Sequence, residues 1–147
     1  MLDKSFIGHA LPAFNVPVEA SRLRFFAKAI GQTDPVYTDD NAARAAGHAA
    51  LPVPPTYLFC LEMDGPNPNA VRELLGIAIA RILHGEQRFT YHAPCHAGDV
   101  LRFEQRIVDI YDKKGGALDF VARETKVSNH RGEHIADLHC VTVVRNG

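Results

Sequence analysis

Two side chains able to exchange protons lie two residues apart in a stretch where apolar and polar residues alternate. His84 and Glu86 fall on the polar face of this predicted strand, where side chains at i and i+2 are neighbours. An imidazole beside a carboxylate can act as an acid and base pair. The same spacing suits a hydrogen-bonded structural pair at a subunit interface, and we favour this second interpretation.

Asp34 is a third candidate for acid–base chemistry, because it is the one carboxylate in the segment Gly31–Tyr37. A carboxylate at this position could accept a proton from water or substrate. An aspartate that precedes a proline, however, more often caps a turn through its own side chain. We therefore predict that Asp34 caps the turn that begins at Pro35.

Histidine and cysteine side chains raise the question of a metal site or a nucleophile. His92, Cys95 and His96 flank a turn, but no fourth ligand follows at a suitable spacing, so we expect no metal. Cys60 and Cys140 lie in apolar segments, where a free cysteine behaves as a small hydrophobic residue. The three cysteines form no CxxC pair, so neither a disulfide framework nor a thiolate zinc site is expected.

The composition excludes several classes of function. The chain has 147 residues, of which 46% are hydrophobic and 22% charged, and this fits one globular domain spanning residues 1–147. A formal net charge of −1 argues against nucleic acid or an anionic membrane as an obligate partner. No apolar run approaches the roughly 18 residues of a membrane span, and the N-terminus lacks a signal-peptide pattern. We therefore expect a cytoplasmic protein.

The elements that position these residues follow from the hydrophobic pattern. The segment Thr56–Met63 is almost wholly apolar, as expected of a helix buried on all sides. From Ile77 onward the sequence alternates in four long strands, and Asp112–Gly116 marks a hairpin turn. A long antiparallel sheet needs a cover, which the apolar helix provides. The predicted fold class is α+β.

Five short motifs occur in one order: FFAKAIGQTDPVY (25–37), AARAAG (42–47), PPT (54–56), HGEQRF (84–89) and PCHAGD (94–99). In this order the chain resembles the N-terminal-type domain of MaoC-like dehydratases, also described as FAS1-like dehydratase domains. The resemblance runs from about residue 5 to 144. It implies a single hotdog fold, in which a long antiparallel sheet wraps around one apolar helix.

Catalytic members of that family carry the signature Gly-Asp-x-Asn-Pro-Leu-His, whose Asp and His activate water, and a His-Gly pair whose backbone N–H binds the thioester carbonyl. Here Gln32 stands at the Asp position and cannot accept a proton. Tyr37 stands at the His position, with an ordinary pKa of about 10. Pro55 replaces the peptide donor and has no N–H. Gln32 and Tyr37 are either residues of a vestigial cleft or partners for loop backbone.

The resemblance therefore implies a non-catalytic, acyl-thioester-binding subunit of an (R)-specific enoyl-CoA hydratase or 3-hydroxyacyl dehydratase. It would bind acyl-CoA or acyl-ACP and form a homodimer, or a heterodimer with a catalytic MaoC-type chain, with no cofactor. Two alternatives are a self-sufficient homodimeric hydratase, with Asp34 or Glu86 as base and Tyr37 or His84 as acid, and a hotdog acyl-CoA thioesterase. The expected substrate contacts are Tyr37, Pro55, Thr56, Tyr57, Leu58, Phe59 and Leu61.

Overall fold

A computed structural model describes every residue of the chain, Met1–Gly147. Five strands form one antiparallel sheet in the order β1-β3-β4-β5-β2, which confirms the predicted α+β class. Because the short β1 and the long β2 lie at the two edges, only the three central strands are paired on both sides. The strands are β1 (Phe14–Pro17), β2 (Ile82–Tyr91), β3 (Val100–Lys113), β4 (Leu118–Asn129) and β5 (His134–Arg145).

The predicted hairpin between β3 and β4 is confirmed. Lys114, Gly115 and Gly116 all have positive φ angles, of 53°, 63° and 86°, and glycine adopts such angles without steric cost. On β3, buried Leu101 and Phe103 alternate with exposed residues, so one face of the sheet is apolar. This face curves around a helix.

Four short helices precede β2, and the third of them packs in the concave face of the sheet. Its Leu58 and Leu61 are each 1% exposed and contact the core residues of β3 and β5. The prediction that this helix is buried on all sides is wrong, however, because Phe59 and Cys60 are only half-buried and Met63 is exposed. The helices are α1 (Ala20–Ala29), α2 (Asp40–Ala45), α3 (Tyr57–Met63) and α4 (Ala70–Leu74).

A β-bulge at Gly85 changes the face on which the β2 side chains lie. His84 is opposite Thr142 of β5, whereas Glu86 is opposite Val141, the next residue of the same strand. Because neighbouring residues of a strand point to opposite faces, His84 and Glu86 do so as well. The expectation that they share a polar face is therefore wrong.

No helix has both the length and the apolarity that crossing a bilayer requires.

Candidate functional site

The loop that carries the degenerate signature uses its polar side chains to hold its own backbone. The Gln32 side-chain oxygen accepts a hydrogen bond from the backbone N–H of Asp34 at 3.0 Å. Asp34 in turn accepts one from the N–H of Val36 at 3.0 Å and caps the 3₁₀ turn Pro35–Tyr37. These bonds confirm the predicted turn cap, and both side chains have a structural partner within the loop.

The beginning of α3 lacks a peptide N–H at Pro55 and uses two of its other N–H groups within the chain. Pro55 has no N–H, and the N–H of Tyr57 donates to the carbonyl oxygen of Pro54 at 3.0 Å. Phe59 likewise donates to the carbonyl oxygen of Thr56 at 3.3 Å. The peptide donor is therefore absent at Pro55, and the N–H groups of Tyr57 and Phe59 are already bonded within the chain.

An apolar groove runs between α1, α3 and the edge strand β2, and we call it the α3–β2 groove. Its volume is about 640 Å³. The side-chain amide of Gln87 is buried in its wall, and neither the amide nitrogen nor the oxygen has a hydrogen-bond partner. An apolar groove with one unpaired amide is typical of a binding site. The lining residues are Phe26, Ile30, Thr56, Phe59, Cys60, His84, Gln87 and Phe89.

A second cavity of about 230 Å³ adjoins this groove, and Phe59 and His84 line both. It lies between α4 and the concave face of the sheet, with Ile77 and Ile82 among its apolar walls. Two arginines, Arg72 and Arg123, are among its lining residues. The two spaces together give an elongated apolar surface that begins at the edge of the sheet.

The residues expected to contact substrate separate into four groups. Thr56 and Phe59 line the α3–β2 groove. Pro55 lines a separate depression beside Tyr91 and His92. Tyr57, Leu58 and Leu61 are at most 4% exposed and belong to the core, so they support the groove from behind instead of lining it, and half-buried Tyr37 lies in the loop after α1.

His84 and Glu86 form no acid–base pair. The imidazole of His84 packs edge-on against the ring of Phe59, with 5.3 Å between ring centroids. Glu86, on the other face of the sheet, pairs with Arg88 at 2.5 Å. The bulge thus moves His84 into the groove and leaves Glu86 in solvent.

A buried carboxylate that the sequence analysis missed lies behind the groove. Glu62 is 2% exposed. Its carboxylate accepts hydrogen bonds from Gln105 at 2.8 Å, Thr125 at 2.5 Å and Arg123 at 2.9 Å. The signal in the sequence was a single charged residue within an apolar helix, and charged residues are seldom fully buried unless they are paired. Since both carboxylate oxygens are engaged, Glu62 stabilises the packing of α3 on the sheet.

The three cysteines are free and protonated at neutral pH. Burial raises the pKa of Cys95 to about 12. Burial likewise raises the pKa of Cys60 and of Cys140 above the ordinary value. Because the thiolate is the reactive form, none of these thiols is activated as a nucleophile.

His92 and His96, near the turn at Pro94, contact residues other than those that the sequence places beside them. His92 bonds to Asp137 at 2.7 Å, and His134 bonds to the other oxygen of the same carboxylate at 2.8 Å. His96 instead contacts His48, with 3.0 Å between ring nitrogens. Cys95 is buried in the core, so the three residues His92, Cys95 and His96 do not form one cluster.

Comparison with solved structures defines the class of fold. A chain of the HadBC complex, a 3R-hydroxyacyl-ACP dehydratase from Mycobacterium tuberculosis, is 24% identical with a TM-score of 0.77, covering 94% of this chain and 96% of that chain. A second structure, a MaoC-like dehydratase, has a TM-score of 0.85 at 22% identity and covers 97% of this chain but 43% of its own. The fold is therefore the hotdog fold of MaoC-like dehydratases.

Sequence comparison then gives the particular family. A protein of Streptomyces avermitilis named as a UPF0336 protein is 37% identical over 136 residues, which cover 91% of this chain and 89% of the relative. The model of the FAS1-like dehydratase domain region matches residues 5–138. The chain therefore belongs to the family of FAS1-like dehydratase domains, which confirms the resemblance seen in the motifs.

Proposed function

We propose that this chain is the acyl-thioester-binding, non-catalytic subunit of an (R)-specific enoyl-CoA hydratase or 3-hydroxyacyl dehydratase. It would act in the cytoplasm beside a catalytic hotdog chain of the MaoC type and would contribute walls for the acyl group of an acyl-CoA or acyl-ACP. The partner would supply the base, the acid and the peptide donor.

The observation that carries this proposal is the state of the degenerate signature loop. Gln32 has no proton affinity near neutral pH, and its oxygen is already bonded to the backbone of Asp34. Asp34 is bonded to the turn that it caps, and Pro55 has no N–H to give. Syn addition of water needs a base, a proton donor and a polarised carbonyl, and the residues that stand at the signature positions, Gln32, Tyr37 and Pro55, differ from the carboxylate, imidazole and peptide donor used by catalytic members.

The α3–β2 groove supports the thioester-binding part of the proposal. Its walls are aromatic and aliphatic, as suits an acyl chain, and the unpaired amide of Gln87 can donate to a carbonyl or accept from an amide. The buried amide loses hydrogen bonds to water without gaining others, which costs about 1–3 kcal/mol. A ligand or partner that bonds to Gln87 recovers this cost.

The exposed edge of strand β2 supports the proposed association with a second hotdog chain. It has ten residues in an extended edge with Leu83 and Tyr91 exposed at 50% and 46%. A long edge of this kind is prone to pair with another strand. The related HadBC structure is a complex, and the longer MaoC-like dehydratase has more than twice the length that this chain covers. Both agree with a second hotdog domain beside this one.

The test compares the purified chain alone with the chain co-expressed beside a MaoC-type protein from its genomic neighbourhood that carries an intact signature. We expect the two chains to co-purify. We expect the complex to hydrate crotonyl-CoA or a longer enoyl-CoA, measured by the loss of enoyl absorbance, while the single chain does not. Within the complex, Gln32→Ala should retain activity.

A matched pair of surface variants tests the role of the β2 edge. Leu83→Glu should weaken association with the partner, whereas Ile7→Glu, with 44% exposure and a position beside β3, should not. Sedimentation velocity measures both. Full hydratase activity of the single chain would contradict the proposal in favour of a homodimeric enzyme, and release of free thiol without hydration would favour a thioesterase.

A further inference from the structure

We propose that His92, His134 and Asp137 form a binding site for one transition-metal ion of the Zn²⁺ type, with a coordination position left open to water. We call these three residues the His–Asp–His cluster. The site goes beyond the proposed acyl-binding role, because the cluster shares no residue with the α3–β2 groove.

The strand pairing places the three side chains together. Asp137 of β5 is opposite Thr90 of β2, two residues before His92. The backbone N–H of His92 donates to the carbonyl oxygen of Ile135 at 2.8 Å, which holds the end of β2 against β5. His134 begins β5 and reaches Asp137 three residues later. Backbone hydrogen bonds thus fix both sides of the cluster.

The ligand atoms already converge. The Nε2 atoms of His92 and His134 lie 2.7 and 2.8 Å from the two oxygens of Asp137, and one ligand atom from each residue lies within 4.8 Å of the others. The two imidazole centroids are 4.2 Å apart. Ligands of a tetrahedral zinc ion are separated by roughly 3.3 Å, so small side-chain rotations bring the three atoms to coordination distance once the hydrogen on each Nε2 has moved to Nδ1 by exchange with water, which frees the Nε2 lone pair. All three side chains are at least partly exposed and are free to rotate in this way.

The chemistry of the donors selects the class of ion. Imidazole nitrogen with carboxylate oxygen is a donor set for Zn²⁺ and neighbouring transition metals, whereas Mg²⁺ and Ca²⁺ prefer oxygen ligands alone. Lys126 is opposite Asp137 on β4, and its charge limits the affinity.

The experiment titrates ZnCl₂ into the full chain, purified without a histidine tag, by isothermal calorimetry at neutral pH. We expect saturation at one ion per chain. The variants Asp137→Asn and His134→Gln should each bind at least about tenfold more weakly. The control is His48→Gln, which removes an imidazole that contacts His96 but shares no carboxylate with it.

A second measurement does not depend on heat signals. Co²⁺ should give visible d–d absorption in the wild-type chain and in His48→Gln, and this absorption should be lost in Asp137→Asn. Circular dichroism of each variant shows whether it is folded. Absence of saturable Zn²⁺ binding, equal affinity in wild type and a folded Asp137→Asn, or an equal loss in His48→Gln would each overturn the proposal.

Discussion

The Nη2 atom of Arg123 donates a hydrogen bond to Oε2 of Glu62 at 2.9 Å and joins β4 to α3 beneath the groove. Glu62 is 2% exposed, and the Arg123 side chain is 14% exposed, so this ion pair is largely withdrawn from water. Burying two charges is costly, and the cost is offset here because Gln105 and Thr125 also bond to the carboxylate. The pair fixes how α3 sits on the sheet and thereby fixes the wall of the α3–β2 groove.

Removing one partner of this pair should destabilise the fold strongly. We expect Glu62→Met to lower the free energy of unfolding by about 3–5 kcal/mol, because Arg123 would remain buried without its partner. The double variant Glu62→Met/Arg123→Met should cost less than the sum of the two single variants. Urea denaturation measures all three, and strictly additive losses would contradict the coupling.

The bulge on β2 should depend on the absence of a side chain at Gly85. A Cβ there would lie 2.7 Å from Cγ2 of Val143 and 3.0 Å from the carbonyl oxygen of Val141. We expect Gly85→Ala to destabilise the chain by about 1–3 kcal/mol, as overpacking does. Adding Val143→Ala should recover part of this loss, since it removes the nearer of the two contacts. Thermal unfolding measures the series, and an unaffected melting temperature in Gly85→Ala would contradict it.

Two glutamines provide a matched test of the groove, because the side-chain amide of Gln87 has no hydrogen-bond partner and that of Gln105 donates to Glu62. Gln87→Leu should leave the free energy of unfolding unchanged or raise it, because the amide of Gln87 has no partner to lose. Gln105→Leu should lower it by about 1–3 kcal/mol, because it deprives buried Glu62 of a donor. If the amide of Gln87 serves thioester binding, Gln87→Leu should also weaken acyl-CoA binding by the assembled complex. A clear destabilisation by Gln87→Leu would show that the amide has a structural partner.

Stability should fall on mild acidification because of His96. Burial lowers the pKa of His96 from its ordinary value of 6.5, and the neighbouring His48 lowers it further. The unfolded chain therefore binds a proton at this histidine at a higher pH than the folded chain does. The free energy of unfolding should decrease as the pH falls below 6.5 and should level off below the folded-state pKa.

The variant His96→Gln isolates this contribution. It removes the titrating group, so the slope of stability against pH between about 7 and 5 should be smaller than in wild type. Chemical denaturation at several pH values measures the difference, and the histidines that do not contact His96 contribute equally to both proteins. An identical slope in the two proteins would argue against this role of His96.

Much of the architecture follows from the sequence alone. Alternation of apolar and polar residues predicted the long strands, and the glycines after Lys114 predicted the hairpin, because both depend on residues close together in the chain. The apolar run Thr56–Met63 predicted the helix in the concave face, with its first residue one position early. The aspartate before Pro35 predicted a turn cap for the same local reason.

The arrangement of the side chains at the site was decided by tertiary structure. An alternating pattern places His84 and Glu86 on one face, and only the pairing of β2 with β5 reveals that the bulge separates them. Glu62 is hydrogen-bonded to Gln105, Arg123 and Thr125, which lie more than forty residues away in the sequence. His92 is hydrogen-bonded to Asp137 at a separation of 45 residues. Periodicity reports which face a residue prefers, but strand register decides which residues of distant segments meet, and register is fixed only when the whole sheet forms.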